Sequence, residues 1–129
     1  MPDTARRTLI IAGLLLSTAT ALGAFGFHTL RALLPPDRYL SYDLAVTYQF
    51  FHALGLLGIG LLQRQFDSGL LRWAGRLILF GLALFAGSIY AMTAGAPKVL
   101  GAVAPLGGLS LMIAWVLFAV AVGRSAGAR

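Results

Sequence analysis

Thr8 to Phe27 reads TLIIAGLLLSTATALGAFGF, a run of 20 residues with no Asp, Glu, Lys or Arg. A bilayer's hydrocarbon core is about 30 Å thick and a helix rises about 1.5 Å per residue, so roughly 20 apolar residues span it. Three further stretches, Leu44 to Leu62, Leu77 to Pro97 and Val99 to Gly123, are equally free of charge. Every charged side chain lies between or outside these four runs. Backbone amides and carbonyls in hydrocarbon must be paired within their own segment, and the runs are too long and too unalternating for barrel strands. The chain is therefore read as an all-α, four-span transmembrane helical bundle in a single domain, 1–129, with spans at about 8–28, 44–62, 77–97 and 99–123.

Composition supports that class. The apolar fraction is 59% and the mean hydropathy +0.86, too hydrophobic for an ordinary globular domain of this length. A formal charge of +6 invites a nucleic-acid reading, but the distribution of the charge argues for topology instead. Arg6, Arg7, Arg64, Arg72, Arg76, Arg124 and Arg129 flank the spans on one side, against Arg31, Arg38 and Lys98 on the other. By the positive-inside rule both termini are cytoplasmic, which predicts a multi-pass protein of the bacterial inner membrane with lipid, not nucleic acid, as its surroundings. The absence of Cys excludes disulfides, iron–sulfur clusters and Cys-ligated zinc. Ala19-Thr20-Ala21 has the form of a signal-peptidase site, yet the apolar run continues past it through Leu22 and Phe25, so the first span is expected to stay uncleaved.

The connections carry their own signals. The external segment Thr29 to Asp43 contains Pro35-Pro36, which cannot sit inside one continuous helix, so the first span is expected to end near His28. Tyr39 and Tyr42 are read as interfacial aromatics, and Trp73, beside Arg72 and Arg76, as an interfacial anchor. Asp67-Ser68 can cap a third helix that starts before the membrane. Ala94 to Lys98 forms a tight external turn, and Pro105 implies either a kink in the fourth span or a distinct short segment before it. Gly23 with Gly26, Gly55 with Gly58, Ala83 with Gly87, and Gly101 with Gly108 are candidate close-packing positions, because small residues let helix backbones approach in lipid.

Four strings, one per span, resemble a known family. Gly23-Ala24-Phe25-Gly26-Phe27-His28 is similar to the GAFGAH segment of the YgdD-like small inner-membrane proteins, a family catalogued as a domain of unknown function that includes the mitochondrial transmembrane protein 256 group. Ala45 to Leu54 resembles its AVxYQxxHAL segment, Phe85-Ala86-Gly87-Ser88-Ile89-Tyr90 its FxGSxY segment, and Ala104-Pro105-Leu106-Gly107-Gly108 its TPxGG segment. Phe27 stands where Ala is usual and Ala104 where Thr is usual. The resemblance implies four helices in the inner membrane and supplies no reaction.

Polar groups inside lipid are costly enough to count as functional candidates, and here they are few. Tyr48 and His52 share a helix face with Gln49 beside them, His52 lying about 12 Å past Leu44 in the outer half of the membrane. Ser88, Tyr90 and Thr93 occupy the outer half of the third span, and His28 closes the first, where it can cap carbonyls. Two kinds of role are open to Tyr48, Gln49, His52, Ser88 and His28. One is structural: hydrogen bonds between helices that hold the register of the bundle in a small non-enzymatic accessory protein, packed with itself or with other membrane proteins. The alternative is a small-molecule or cofactor site for a quinone or haem, or a proton path through His52. Depth argues against His28 and His52 sharing an iron, and no carboxylate accompanies His52 in the membrane. No G-x-S-x-G, H-E-x-x-H or phosphate-loop string supports catalysis, so no catalytic residue, metal site or cofactor is assigned.

Overall fold

The computed structural model describes residues 1–127, in which four long helices follow one another through short connections. We label them α1 (Asp3–Phe25), α2 (Pro36–Gln63), α3 (Gly69–Thr93) and α4 (Ala104–Gly127). Each, with its flanking turns, is long and apolar enough to cross a membrane. The described residues contain no strand. Arg129, counted above with the basic side, lies outside the described residues.

The first span runs further than its sequence suggests. Beyond Phe25 it continues through a π-helical turn, Gly26–Leu30, and a last turn, Arg31–Leu33, so His28 is inside the helix and not at its end. The break comes at Leu34, whose extended backbone (φ −93°, ψ 147°) is what a residue before proline adopts. The loop expected over Thr29 to Asp43 thus shrinks to the corner at Leu34 and Pro35. Pro36 opens α2, since the first helical position needs no amide hydrogen. Tyr42, read as interfacial, is consequently well inside α2 and only 3% exposed.

The other boundaries obey local chemistry. Ser68 Oγ accepts the Leu71 amide hydrogen at 3.4 Å and Asp67 pairs with Arg72, starting α3 well before its charge-free stretch. Trp73 is exposed, with the Arg76 guanidinium 5.0 Å from its ring centre. After Thr93 the chain turns through Gly95, whose φ of +110° disfavours any residue with a Cβ. A 3₁₀ turn, Lys98–Ala102, then precedes α4, and Pro105 falls in the first turn of that helix. The proline therefore separates a short segment from a helix and does not kink the span.

Consecutive helices are antiparallel neighbours: α1 packs on α2 and α3 on α4, with α2 against α3 joining the two hairpins. Buried small residues recur every seventh position along the first span, at Ala5, Ala12, Ala19 and Gly26. On α2, Tyr42, Gln49 and Gln63 stand at multiples of seven. A repeat of seven keeps one seam facing its neighbour along the length of two shallowly crossed helices. The largest fully buried side chains, Leu56, Ile59, Leu71 and Ile78, fill the contact between α2 and α3.

Close approach is real at Gly23, Gly26 and Gly55 of the sequence pairs, and equally at Gly60, Gly81 and Gly107, which those pairs do not include. A Cβ built on Gly107 would lie 2.6 Å from the carbonyl oxygen of Gly81, and one on Gly81 would lie 2.8 Å from the Gly107 oxygen. The backbones of α3 and α4 touch there. Gly26 faces the Tyr42 ring, Gly55 the Trp115 ring and Gly60 the Leu9 side chain, and a Cβ built on Gly23 would lie 3.4 Å from the Val46 side chain. A Cβ built on Gly58, Gly87 or Gly108 would have no atom of another element within 4 Å. Spacing of small residues identifies a stripe, whereas the neighbouring helix decides which stripe is used.

Candidate functional site

Gln49 lies where three helices meet. Its Nε2 donates to the Leu15 carbonyl and to Thr18 Oγ1 on α1, both at 2.9 Å, and its Oε1 accepts from the Tyr90 hydroxyl on α3 at 2.7 Å. Both amide hydrogens and the carbonyl are thereby used. One heptad earlier on α2, Tyr42 donates to the Leu22 carbonyl, itself one heptad beyond Leu15. At the other end Thr8 donates to Gln63 Oε1 at 2.7 Å. The α1–α2 seam is thus a ladder of side-chain bonds over a stripe of alanines. Tyr42 and Tyr90 also pack ring against ring, 5.7 Å between centres.

Tyr48 and His52 turn to the opposite flank. On a helix wheel adjacent residues diverge by about 100°, so Tyr48 turns away from the α1 seam that Gln49 joins, although both reach α3. His52 is 9% exposed and hydrogen-bonds through Nδ1 with the carbonyl oxygen of Tyr48, its own helix partner, at 2.9 Å. Its ring stacks on Tyr48 (5.6 Å, 22° between planes) and stands 6.0 Å from Trp115 of α4. Tyr48 in turn lies 4.7 Å from the Phe85 ring of α3. These rings wall a cavity of about 430 Å³ that continues to Pro105 and Gly108 in the first turns of α4.

The remaining candidates are apart from both groups. Ser88 Oγ donates to the Phe85 carbonyl of its own helix at 3.0 Å. His28 is exposed on the π-helical turn, edge-on to Phe27. His52 lies about 24 Å along α2 from Pro36, so the structure does not bring the two histidines together. No trio of His, Asp or Glu among the described residues is placed to hold a metal ion. The single polar set read from sequence accordingly divides: Gln49 bridges helices, Tyr48 and His52 line a cavity, and Ser88 bonds locally. Thr18, Tyr42, Gln63 and Trp115, none of them read from sequence as a site residue and Tyr42 read only as interfacial, complete the two sites. The seven-residue interval among Tyr42, Gln49 and Gln63 is the signal that could have found two of them.

A family model described as protein of unknown function (DUF423) matches residues 22–108, a stretch that includes the π-helical turn, Gln49, His52 and the Gly81–Gly107 contact. This agrees with the resemblance drawn from the four strings. Among curated proteins, the UPF0382 membrane protein of Staphylococcus epidermidis strain RP62A is 38% identical over 120 residues, covering 92% of this chain and 97% of that one. The UPF0382 membrane protein YwdK of Bacillus subtilis is 39% identical over 105 residues, 80% of this chain and 85% of that one. The Staphylococcus haemolyticus protein is 33% identical over 120 residues, covering 92% and 97%. No solved structure matches.

Proposed function

The chain belongs to the DUF423 family of unknown function, and from that membership we propose a structural or accessory role in the bacterial inner membrane, with both termini cytoplasmic. The observation that carries this reading is Gln49: an amide that could have received a ligand is spent on α1 and α3. Interhelical bonds of this kind average under about 1 kcal/mol each, yet they reject wrong pairings where apolar contacts are unspecific. Topology is supported by Arg7, Arg72 and Arg76, which gather round one cavity at the end of the molecule that also holds Gln63. Partners are sought through the lipid-facing side of α4, where Met112 is 62% and Val116 61% exposed.

Cysteine-directed cross-linking tests the role, because the chain has no cysteine of its own. A single cysteine replacing Val116 is expected to give one discrete cross-linked species in native membranes, and one replacing Leu14 on the far side is expected to give none. Monomer alone from both positions would overturn the accessory reading. Reporter fusions at Gln65 and at Pro36 test the orientation, which predicts cytoplasm for the first and exterior for the second.

A further inference from the structure

We infer that the cleft between α2, α3 and α4 is a lateral binding site for a lipid-soluble aromatic molecule that carries a hydroxyl, of the phenol or hydroquinone class. The inference goes beyond the accessory role and rests on the other flank of α2. A carbonyl oxygen can only accept, so the 2.9 Å contact with Tyr48 fixes the hydrogen on His52 Nδ1 and leaves Nε2 as a lone-pair acceptor. That nitrogen has no protein partner among the described residues, although His52 is more than nine-tenths buried. It is not sealed in either, since no side-chain nitrogen or oxygen without a partner is fully buried among the described residues. His52 lines the cavity of about 430 Å³, and we take that cavity as the space its accessible Nε2 meets. An acceptor facing hydrocarbon finds no water there, so a ligand hydroxyl is the group that would satisfy it.

The walls define the rest of the ligand. Tyr48, Phe85 and Trp115 present aromatic surface, and no charged residue lines the cavity, which disfavours an anionic headgroup or a cation. The volume falls within the range of sites for small organic molecules, roughly 300–1,000 Å³. Exposed Phe51, Leu109 and Met112 rim the opening, so entry is sideways from the bilayer. Gly108 keeps the space clear, with nothing within 4 Å of where its Cβ would be. An oxidised quinone offers Nε2 only acceptors. The hydroxyl form is therefore the one bound.

The test uses Trp115 fluorescence in a Trp73→Phe chain reconstituted in lipid nanodiscs, Trp73 and Trp115 being its 2 tryptophans. The probes are 6-bromo-2-naphthol, whose bromine quenches on contact, and its methyl ether, in which a methyl group replaces the donor hydrogen. Quenching by the naphthol is expected to saturate, with apparent affinity about tenfold or more above that of the ether, the scale of one lost hydrogen bond that leaves its acceptor unpaired. His52→Leu should bring the naphthol down to the level of the ether, and His52→Gln, which keeps an acceptor, should retain most of the difference. Gly108→Leu should fill the cleft and abolish saturation in a chain that melts as its parent does. Equal, unsaturating quenching by both probes would mean partition into lipid and would overturn the proposal. Saturation that survives Gly108→Leu, or equal competition by naphthol and ether as for an acyl-chain groove, would overturn it as well.

Discussion

The two flanks of α2 solve the problem of polar groups in lipid differently. Toward α1, the Gln49 amide, Tyr42 and Gln63 each find a partner on another helix. Toward α4, His52 bonds only within its own turn and Trp115 meets it as a ring face. The first flank is closed over alanines, and the second leaves a cavity. The second flank holds together because the α3 and α4 backbones touch at Gly81 and Gly107, so the cleft can remain open without costing the hairpin its contact. A ladder of side-chain bonds holds one seam, and the other joins backbone proximity to a single bond, from Ser110 Oγ to the Leu77 carbonyl at 2.8 Å.

That contrast can be broken by substitution, most severely at the backbone contact. Gly107→Leu should force α4 off α3 and cost more than about 3 kcal/mol, seen as a large fall in thermal stability in detergent, because a Cβ there meets backbone that cannot yield. Gln49→Leu comes next, at about 2 kcal/mol, since it deletes three bonds and leaves the Tyr90 hydroxyl without its acceptor. His52→Leu should cost under about 1 kcal/mol in the same assay, because its protein partner is a carbonyl of its own helix. If His52→Leu proved as damaging as Gln49→Leu, the distinction between the flanks would collapse. Gly87→Leu should change stability by under about 0.5 kcal/mol, as its Cβ would meet nothing; a large loss there would restore the small-residue stripe read from sequence.

Much of the candidate site was legible in part. The interval between Tyr48 and His52 correctly places both on one face, and their rings do stack. Gln49 beside them is misleading, because adjacency in sequence is divergence on a helix. Ser88 resembles a site residue by its motif, yet its hydroxyl is consumed by the Phe85 carbonyl three residues back, a local bond that serine readily makes inside helices. His28 looked like the end of a span because the apolar run stops there, and the hydrogen bonding of Gly26–Leu30 carries the helix onward.

The sequence by itself determined the all-helical class, the four spans, the helix break at Pro35-Pro36, the start of α3, and the concentration of arginines at one end. These are set by short-range rules: hydrocarbon forbids unpaired backbone, proline fixes the residue before it, and serine caps the helix after it. Only the tertiary structure decided that Gly81 and Gly107 carry the backbone contact between α3 and α4 while a Cβ on Gly87 would meet nothing. It alone divided the polar residues into a satisfied seam and an open cleft. The physical reason is that outside water the hydrophobic effect does not say which helix face turns inward; that choice is made by shape and by the partner each polar atom finds on a neighbouring helix.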